Sequence, residues 1–436
     1  MRNRSYFAII IAATLIFGLC IFAIRYYTDG KKWAMLTANQ SVYNQGVLDK
    51  GVLMDRNGVV LAAAGNNGYS YASDETIRKA CFHVVGDYGG NIGSGALSVF
   101  SYKLAGYNTI NGVASLSGKG GTVKLSVDSK LNTIAYKALR GRKGAVLVSN
   151  YKTGEILCMV STPSYDPNTS PNLSSSAYDG VYINRCLGAT YSPGSVFKLI
   201  TLDAAIENIP DLKEQTFTCT GSTVVGGDTV VCTGKHGKQT VEQALAHSCN
   251  VAFSDISQQL GADNIYNYAE KLGFLKSLNV SGIGTAAGNL DKGPAGSSYL
   301  SWMGIGQYDD LISPIAMLRY VSAIANDGVA KEPILLKDGG TSDTRLLKSD
   351  TAEQIKEMMA YDVSYDYGTG TFPNLKMCAK TGTAEVGDGT TNAWFVGFLD
   401  DTDNPLAFTV VIEKGGGGLA SAGPVANAVL QAAVAK

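Results

Sequence analysis

The chain has 436 residues, of which 45% are hydrophobic and 17% are charged, and its formal net charge is −1. This length allows two or three domains, and the composition is that of an ordinary globular protein with a good core. The near-neutral charge gives no electrostatic reason to expect nucleic-acid binding. Three histidines and the lack of a Cys-x-x-Cys pair argue against a structural zinc site, so no metal site is predicted.

An uncharged apolar run covers residues 7–24, with Arg2 and Arg4 before it and Arg25 after it. The run is long enough to span a bilayer. A cleaved signal peptide is the alternative, but no Ala-x-Ala-like site ends the run. We therefore predict a transmembrane anchor with a short cytoplasmic N-terminus over residues 1–25. Basic residues flank both ends, so the orientation is inferred from the large polar body that follows a single N-terminal anchor.

Residues 26–121 are predicted to form a linker and a short, β-rich pedestal domain. Residues 51–62 indicate two short strands around an Asn57-Gly58 turn. The stretch that follows, residues 65–121, is rich in Gly, Ser, Asn and Tyr, which favours small strands and loops over helix. His83 stands alone there, and we interpret it as a structural residue.

The pattern becomes stronger from residue 122, where the main domain is predicted to begin and to run to residue 436. Residues 127–139 start with an N-cap-like Asp128 and continue with helical spacing of apolar residues. Residues 144–149 and 155–161 indicate two strands joined by a turn.

A possible nucleophile and its base lie in the stretch YSPGSVFK, residues 191–198. Ser195 is predicted at the start of a buried helix, and Lys198 lies on the same face one turn later. A serine hydroxyl needs a neighbour to take its proton, and burial or a nearby cation lowers the pKa of a lysine enough for that task. Free N–H groups at the helix N-terminus favour a developing oxyanion. The pattern alone is weak, because Ser149 and Lys152 match it within the predicted turn of the first hairpin.

A serine and an asparagine are predicted to point into the same cleft from a loop. Helical segments cover residues 241–246 and 251–260, and Ser248 and Asn250 lie between them. A hydroxyl and an amide at this spacing can both be directed towards a substrate. Similar Ser-x-Asn patterns occur elsewhere in the chain, so this pattern is also weak by itself.

The end of the chain is predicted to be β-structure. Three strands are indicated over residues 375–386, 393–399 and 406–413, and a helix over 424–434 follows. The turns between these strands are short, so the strands are antiparallel. We therefore predict an α+β fold: a five-stranded antiparallel sheet covered by helices, with an all-helical lobe inserted between the second and third strands.

The first of these late strands carries Lys380, Thr381, Gly382 and Thr383. A lysine at the edge of a cleft supplies a positive charge, and threonine hydroxyls can bind a substrate carboxylate. Gly382 is expected to let a substrate backbone approach the strand closely.

Two of the eight cysteines, Cys219 and Cys232, flank a predicted hairpin with a Gly226-Gly227 turn. They could form a disulfide in an oxidising compartment, or they could be two reduced, half-buried cysteines. The sequence leaves both alternatives open.

The order Ser-x-x-Lys, Ser-x-Asn, Lys-Thr-Gly resembles the motif triplet of penicillin-binding proteins and class A β-lactamases. The amino-acid sequences of residues 192–198, 304–307 and 392–398 are similar to the corresponding segments of penicillin-binding proteins. The stretch around Asp55-Arg56-Asn57-Gly58 resembles the start of the pedestal in class B, monofunctional penicillin-binding proteins. Lys50 stands where that family usually has arginine, and the pedestal is short for the class.

This resemblance implies a peptidoglycan D,D-transpeptidase that cross-links stem peptides through an acyl-enzyme on Ser195. Lys198 would be the base, Ser248 would relay a proton to the leaving nitrogen, and Asn250 would hold the substrate amide. The implied carboxylate-binding residues are Lys380, Thr381 and Thr383, beside Gly382. The backbone N–H groups of Ser195 and Thr383 would form the oxyanion hole. No cofactor is implied, and β-lactam antibiotics would acylate the serine as mimics of D-Ala-D-Ala.

The resemblance also implies an extracytoplasmic catalytic domain at the cell membrane and, as partner, a membrane glycan polymerase of the shape, elongation, division and sporulation family. Three alternatives remain: a D,D-carboxypeptidase, a β-lactamase, and a non-catalytic β-lactam-binding scaffold or sensor. A β-lactamase is disfavoured because no convincing Glu-x-x-x-Asn lies between residues 248 and 380. The complete triplet and the single predicted span disfavour a scaffold or sensor.

Overall fold

The fold was analysed in a computed structural model that describes residues 2–36, 43–44, 47–48, 50–65, 68–87, 89–114 and 120–435. The first element is a helix, Arg2–Ala34. Within the described residues it is the one helix long and apolar enough to cross a membrane. It therefore contains the predicted anchor and continues through part of the predicted linker, where Arg25 and Asp29 form an i,i+4 ion pair of 3.1 Å. The linker prediction over residues 37–42 lies outside the described residues.

The pedestal contains a four-stranded sheet. In spatial order its strands are Gly68–Tyr71, Val60–Gly65, Val52–Met54 and Thr122–Lys124. The first three are antiparallel, whereas the last pair is parallel. The predicted hairpin at Asn57-Gly58 is confirmed, and Gly58 has φ +88°. Thr122–Lys124, which the sequence analysis placed in the main domain, thus pairs with the pedestal sheet.

Short helices and ribbons complete the pedestal. The helices are Glu75–Ala80, Phe82–Val85, Ala96–Val99 and Ser101–Leu104. The two-stranded ribbons are Tyr43–Asn44 with Val47–Leu48, and Tyr107–Asn108 with Val113–Ala114. The expectation of little helix was incomplete, because these helices are too short to give a clear 3.6-residue period. His83 is buried and its Nε2 lies 2.7 Å from the Val181 carbonyl oxygen, which confirms its structural role.

The turn at Asp55-Arg56-Asn57 fastens the pedestal to the main domain. Asp55 is fully buried, and its Oδ2 accepts a 2.7 Å hydrogen bond from the Ser129 hydroxyl. Asn57 Nδ2 donates to Asp128 Oδ2 at 3.0 Å. The Arg56 guanidinium lies 3.4 Å from the Glu155 carboxylate. These contacts hold the start of the helix Ser129–Leu139, which Asp128 caps as the sequence predicts.

The main domain is built on one five-stranded sheet. Its strands are β1 (Gly144–Asn150), β2 (Ile156–Thr162), β3 (Met377–Glu385), β4 (Thr391–Leu399) and β5 (Leu406–Ile412). The spatial order is β2-β1-β5-β4-β3, and every pair is antiparallel. The predicted sheet is therefore confirmed. Its central strand β5 is buried throughout, and β3 forms one edge.

Helices cover both faces of this sheet. Side chains alternate between the faces, so Val146 and Val148 of β1 pack with the first and last helices of the domain, whereas Ala145 and Leu147 pack into the larger core on the other side. The helices are Ser129–Leu139, Lys198–Asn208, Val241–Ala246, Asn250–Leu260, Ala262–Leu272, Ser298–Met303, Pro314–Ala325, Ser349–Asp362 and Gly418–Val434. Single turns of 3₁₀ or π helix occur at Ser176–Tyr178, Gly194–Phe197, Val363–Tyr367 and Thr369–Thr371.

The lobe inserted between β2 and β3 is mostly helical, but it also contains four small ribbons, so the prediction of an all-helical lobe was wrong in this detail. They pair Phe217–Cys219 with Gly237–Gln239, Ser222–Val225 with Asp228–Val231, Asn279–Val280 with Ile283–Gly284, and Val329–Lys331 with Asp343–Arg345. The second of these is the hairpin predicted around Gly226-Gly227. The others are two or three residues long, too short for an alternating pattern to show.

The last helix begins at Gly418, six residues before the predicted start at Pro424. A Cβ atom on Gly418 would lie 2.6 Å from the carbonyl oxygens of both Gly382 and Trp394. The glycine therefore lets the helix start directly against the sheet. A glycine-rich run favours a loop by sequence alone, so this contact could not be foreseen.

Candidate active site

Ser195 lies in a tight turn at the entrance to a buried helix. The 3₁₀ turn Gly194–Phe197 precedes the α-helix Lys198–Asn208, so the predicted helix begins with a tighter turn than expected. Ser195 is partly exposed, whereas the other residues from 191 to 200 are buried. The hydroxyl is thus the polar group of this stretch that a substrate can reach.

Two neighbouring segments hold this turn in place. The Trp394 indole N–H donates to the Ser192 carbonyl at 2.9 Å, and Gly194 N–H donates to the Gly306 carbonyl at 2.7 Å. Gly194 has φ +56°, and a Cβ there would lie 2.6 Å from the Thr383 carbonyl oxygen. The turn therefore packs directly against strand β3, and the glycine is required both by its φ and by this close approach.

Lys198 is fully buried beside Ser248 and Asn250. Its Nζ donates to the Ser248 carbonyl oxygen, lies 3.2 Å from Ser248 Oγ and donates to Asn250 Oδ1 at 2.8 Å. Burial, with a further contribution from the positive charge of Lys380, lowers the pKa of Lys198 to about 7. The structure thus brings together Lys198, Ser248 and Asn250, whose proximity the sequence analysis predicted, and gives the lysine the pKa of a base at neutral pH.

Ser248 and Asn250 lie at the tight connection between the helices Val241–Ala246 and Asn250–Leu260. Ser248 has φ +50°, an uncommon conformation for serine, and it lies in the predicted turn. Asn250 is already the first residue of the helix Asn250–Leu260, one position earlier than predicted. Its Nδ2 donates to the Val231 carbonyl at 2.9 Å. The amide is therefore fixed at both of its polar atoms, by Lys198 and by Val231.

Lys380 is the second fully buried lysine of the cleft, on the edge strand β3. Its Nζ lies 3.3 Å from Asp362 Oδ2 in an ion pair that is buried on both sides. Burial raises the pKa of Asp362 to about 6, against the opposing effect of the Lys380 charge. Asp362 was not predicted from the sequence, because its position at the end of a helix gives no signal of a partner on a distant strand.

Tyr367, also missed, connects Asp362 to the Lys-Thr-Gly strand. Its hydroxyl donates to Asp362 Oδ2 at 3.0 Å, lies 3.2 Å from Thr381 Oγ1 and accepts from Thr381 N–H at 2.9 Å. The Thr381 N–H therefore points away from β4, towards the free edge of β3. Because backbone groups two residues apart share one edge, the Thr383 N–H points the same way.

Thr383 is exposed; its Oγ1 accepts from the Gly418 N–H at 3.2 Å, and Gln307 Nε2 donates to its carbonyl oxygen at 3.3 Å. A Cβ at Gly382 would lie 2.7 Å from the Pro193 carbonyl oxygen, so the glycine admits the backbone of the serine turn. The predicted close approach of a substrate backbone at Gly382 stays a prediction.

A sequence profile described as the penicillin-binding protein transpeptidase domain matches residues 144–431. The chain belongs to this family. It is 28% identical to the peptidoglycan D,D-transpeptidase PbpA of Mycobacterium tuberculosis, over 72% of this chain and 73% of the relative. It is 30% identical to stage V sporulation protein D of Bacillus subtilis, over 71% of this chain and 52% of that protein.

Solved structures of penicillin-binding proteins share the fold. A ceftriaxone acyl-enzyme complex of penicillin-binding protein A from M. tuberculosis superimposes with a TM-score of 0.71 at 25% identity, covering 88% of this chain and 98% of that chain. The α+β architecture and the class B resemblance inferred from the sequence are thereby confirmed. In that structure the M. tuberculosis protein forms an acyl-enzyme with a β-lactam.

The second Ser-x-x-Lys pattern lies elsewhere in the transpeptidase domain. Ser149 is buried at the end of β1, where its Oγ lies 3.4 Å from Ser322 Oγ. The Lys152 side chain donates to Asn326 Oδ1 at 2.8 Å. Both residues have structural partners, in agreement with their interpretation as part of a turn.

The cysteines flanking the predicted hairpin are not bonded to each other in the structure, where all eight cysteines carry free thiols. Cys232 Sγ lies 3.8 Å from the sulfur of Cys249, a residue between the catalytic-motif residues Ser248 and Asn250. The sequence analysis did not connect Cys249 with this hairpin.

Proposed function

We propose that the protein cross-links peptidoglycan stem peptides as a serine D,D-transpeptidase, with Ser195 as nucleophile. The observation that carries this proposal is the buried Lys198, whose pKa of about 7 leaves it partly neutral near neutral pH. It lies in the first turn of the helix that Ser195 precedes and is hydrogen bonded to two further polar residues of the cleft. A lysine with this pKa can accept the serine proton, which a solvated lysine cannot do.

In the acylation step, neutral Lys198 takes the proton from Ser195 as its Oγ attacks the carbonyl carbon of the D-Ala-D-Ala bond. Ser248, within hydrogen-bonding distance of Lys198, passes a proton to the leaving nitrogen, and the terminal D-Ala departs. Asn250 Nδ2 has two hydrogens and donates only one to Val231, so the other is available to the substrate amide carbonyl. The amino group of a second stem peptide then accepts the acyl group.

The oxyanion and the substrate carboxylate are bound on the strand side of the cleft. The backbone N–H groups of Ser195 and Thr383 would stabilise the tetrahedral intermediate, since the Thr383 N–H points to the free edge of β3. Thr381, Thr383 and the positive charge of Lys380 would bind the carboxylate of the terminal D-Ala. Beyond Thr381, whose N–H is bonded to Tyr367, the outer edge of β3 suits an extended peptide, which would lie along it as an additional strand.

The N-terminal helix makes a single-pass membrane anchor the simplest arrangement for this chain. We assign residues 1–25 to the anchor, 26–121 to linker and pedestal and 122–436 to the transpeptidase domain, whose first strand, Thr122–Lys124, completes the pedestal sheet. With the N-terminus in the cytoplasm, the catalytic domain lies outside, where peptidoglycan is assembled. A membrane glycan polymerase of the shape, elongation, division and sporulation family would contact the anchor and pedestal and supply the glycan strands.

The test compares the full-length protein in detergent with Ser195→Ala. A fluorescent penicillin should label the parent stably and should not label the variant, whereas Ser149→Ala, the serine of the second pattern, should be labelled like the parent. A D-Ala-D-Ala peptide supplied with an amine acceptor should give the cross-linked product. Release of D-Ala without cross-linking would identify a carboxypeptidase, rapid hydrolysis of the penicillin a β-lactamase, and no labelling a non-catalytic protein.

A further inference from the structure

Four metal-ligating side chains converge beside the Ser248–Asn250 turn. They are Cys219, Cys232, His236 and Cys249, whose ligand atoms all lie within 4.8 Å of one another. They come from four separate places: the end of a strand, the end of a hairpin, the loop that follows it and the N-cap of the helix Asn250–Leu260. Two of the cysteines, Cys219 and Cys249, are buried.

The distances between these atoms suit a tetrahedral metal. With Zn–S bonds of about 2.3 Å and Zn–N bonds of about 2.05 Å, tetrahedral angles require about 3.8 Å between two sulfurs and about 3.6 Å between sulfur and nitrogen. Cys232 Sγ lies 3.8 Å from Cys249 Sγ and 3.6 Å from His236 Nδ1. All the other separations are within 4.8 Å, so side-chain adjustments of about 1 Å bring the four ligand atoms to these distances.

The surroundings of the sulfurs also suit thiolates. Backbone N–H groups donate to two of them: Asn250 N–H to Cys232 Sγ at 3.2 Å, and Ala252 N–H to Cys249 Sγ at 3.4 Å. Such bonds are the outer-shell contacts that orient metal ligands and stabilise their charge. A divalent cation binds cysteines as thiolates and displaces their protons, and these N–H groups would stabilise the sulfurs in that form.

The proposed histidine ligand is positioned by a second imidazole ring. The rings of His236 and His247 stack with centroids 4.8 Å apart, and His247 Nδ1 lies 2.8 Å from Gln239 Oε1. These contacts orient the His236 ring, and an imidazole nitrogen is a common metal ligand.

The geometry points to a structural Zn²⁺ site of the Cys₃His type at Cys219, Cys232, His236 and Cys249. Three soft thiolates and one imidazole at tetrahedral spacing select Zn²⁺ over hard cations. A disulfide would use only two of the three sulfurs and leave the histidine without a role.

The consequence for the enzyme is the position of the Ser-x-Asn turn. Cys249 lies between Ser248 and Asn250, and Asn250 N–H is bonded to Cys232 Sγ. Zinc would therefore fix this turn to the ribbon Phe217–Cys219 with Gly237–Gln239 and to the hairpin that ends at Val231. Metal bound here would hold Ser248 and Asn250 against Lys198.

The first test is the metal content of the full-length protein, purified in detergent without chelator or reductant. Mass spectrometry of the metals should give about one zinc per chain. Replacement of zinc by Co²⁺ should produce thiolate-to-cobalt charge-transfer bands and the visible bands of a tetrahedral site. This spectrum needs no variant, so it tests the site even if a substitution prevents folding.

Variants then assign the ligands. Cys219→Ser and His236→Ala should each weaken zinc binding at least about tenfold in competition with a chromophoric chelator. Cys378→Ser changes a buried cysteine of β3 outside the cluster and should bind zinc like the parent.

Counting thiols distinguishes the site from a disulfide. After unfolding with a chelator and without reductant, all eight cysteines should titrate as thiols. Two fewer thiols would show a disulfide and overturn the zinc site. The zinc site would also be overturned if the parent contained less than one zinc per chain and both variants bound zinc as well as the parent does. Because penicillin labelling of Ser195 is measured separately, either result is distinct from a failure of the transpeptidase proposal.

Discussion

The active-site cleft has two sides, and each contains a fully buried lysine in a different environment. On the helix side, Lys198 is surrounded by the neutral oxygens of Ser248 and Asn250. On the strand side, Lys380 lies 3.3 Å from the buried carboxylate of Asp362. Because the two lysines are equally buried, the difference between them comes from their hydrogen-bonding and ionic partners.

In the proposed mechanism, this difference gives proton transfer to Lys198 and an electrostatic role to Lys380. Without a close anion, burial penalises the charged form of Lys198, and the charge of Lys380 adds to that penalty. Asp362 is the carboxylate partner of Lys380, and in the proposed mechanism Lys380 contributes its charge to binding of the substrate carboxylate. The same charge that would bind substrate thus also prepares the base.

Removing the proposed base, Lys198, should have the largest effect on the acylation rate. Lys198→Met retains most of the buried volume but cannot accept a proton, so penicillin acylation should fall by about 10² to 10⁴. Stopped-flow or gel-based labelling measures the rate. Lys152→Met, in the second Ser-x-x-Lys pattern, should label at the parental rate, and an active Lys198→Met would contradict the proposed role.

Breaking the ion pair on the strand side should mainly reduce stability. Asp362→Asn leaves Lys380 buried without its carboxylate, which should lower the free energy of unfolding by about 3–5 kcal/mol. Denaturant titration of the full-length protein measures this change.

Asp203 provides a matched control for that experiment. It is as deeply buried as Asp362, but burial raises its pKa to about 8, so at neutral pH it is mostly uncharged. Asp203→Asn should therefore cost much less. Equal losses for the two variants would show that the Lys380 pair is not what stabilises the strand side.

Moving the serine turn away from β3 should reduce the acylation rate less than removing Lys198 does. In Gly382→Ala, the new Cβ would lie 2.7 Å from the Pro193 carbonyl oxygen and would push the serine turn away from β3. A displacement of this kind costs about 10²-fold in rate. Gly340→Ala, whose Cβ would have no neighbour within 4 Å, is the control and should acylate normally.

The sequence predicted the parts of the site that follow from local patterns. Ser195 and Lys198 are one helical turn apart, and apolar runs separated by short turns defined the five strands. The roles of Asp362 and Tyr367 depend on packing between a helix end and a distant strand, and no spacing in the chain shows that packing. The same applies to Gly382, whose contact with Pro193 is purely tertiary.

The cysteine cluster was missed for a related reason. Cys219, Cys232, His236 and Cys249 lack the short Cys-x-x-Cys spacing that usually marks a zinc site, and the sequence argument against zinc relied on that absence. Two ribbons and a helix N-terminus bring the four residues together. Ligands supplied by separate elements can be recognised only after folding.

The most direct test of the division between the two lysines is the pH dependence of acylation by a fluorescent penicillin, from about pH 5 to about pH 9. Only neutral Lys198 accepts a proton, so the rate should rise about tenfold per pH unit below its pKa. It should level off above a midpoint near the pKa of about 7. Lys380→Met removes the neighbouring charge, which raises the pKa of Lys198 and should move the midpoint to higher pH. A parental rate that does not change with pH, or a midpoint unmoved in Lys380→Met, would contradict the account.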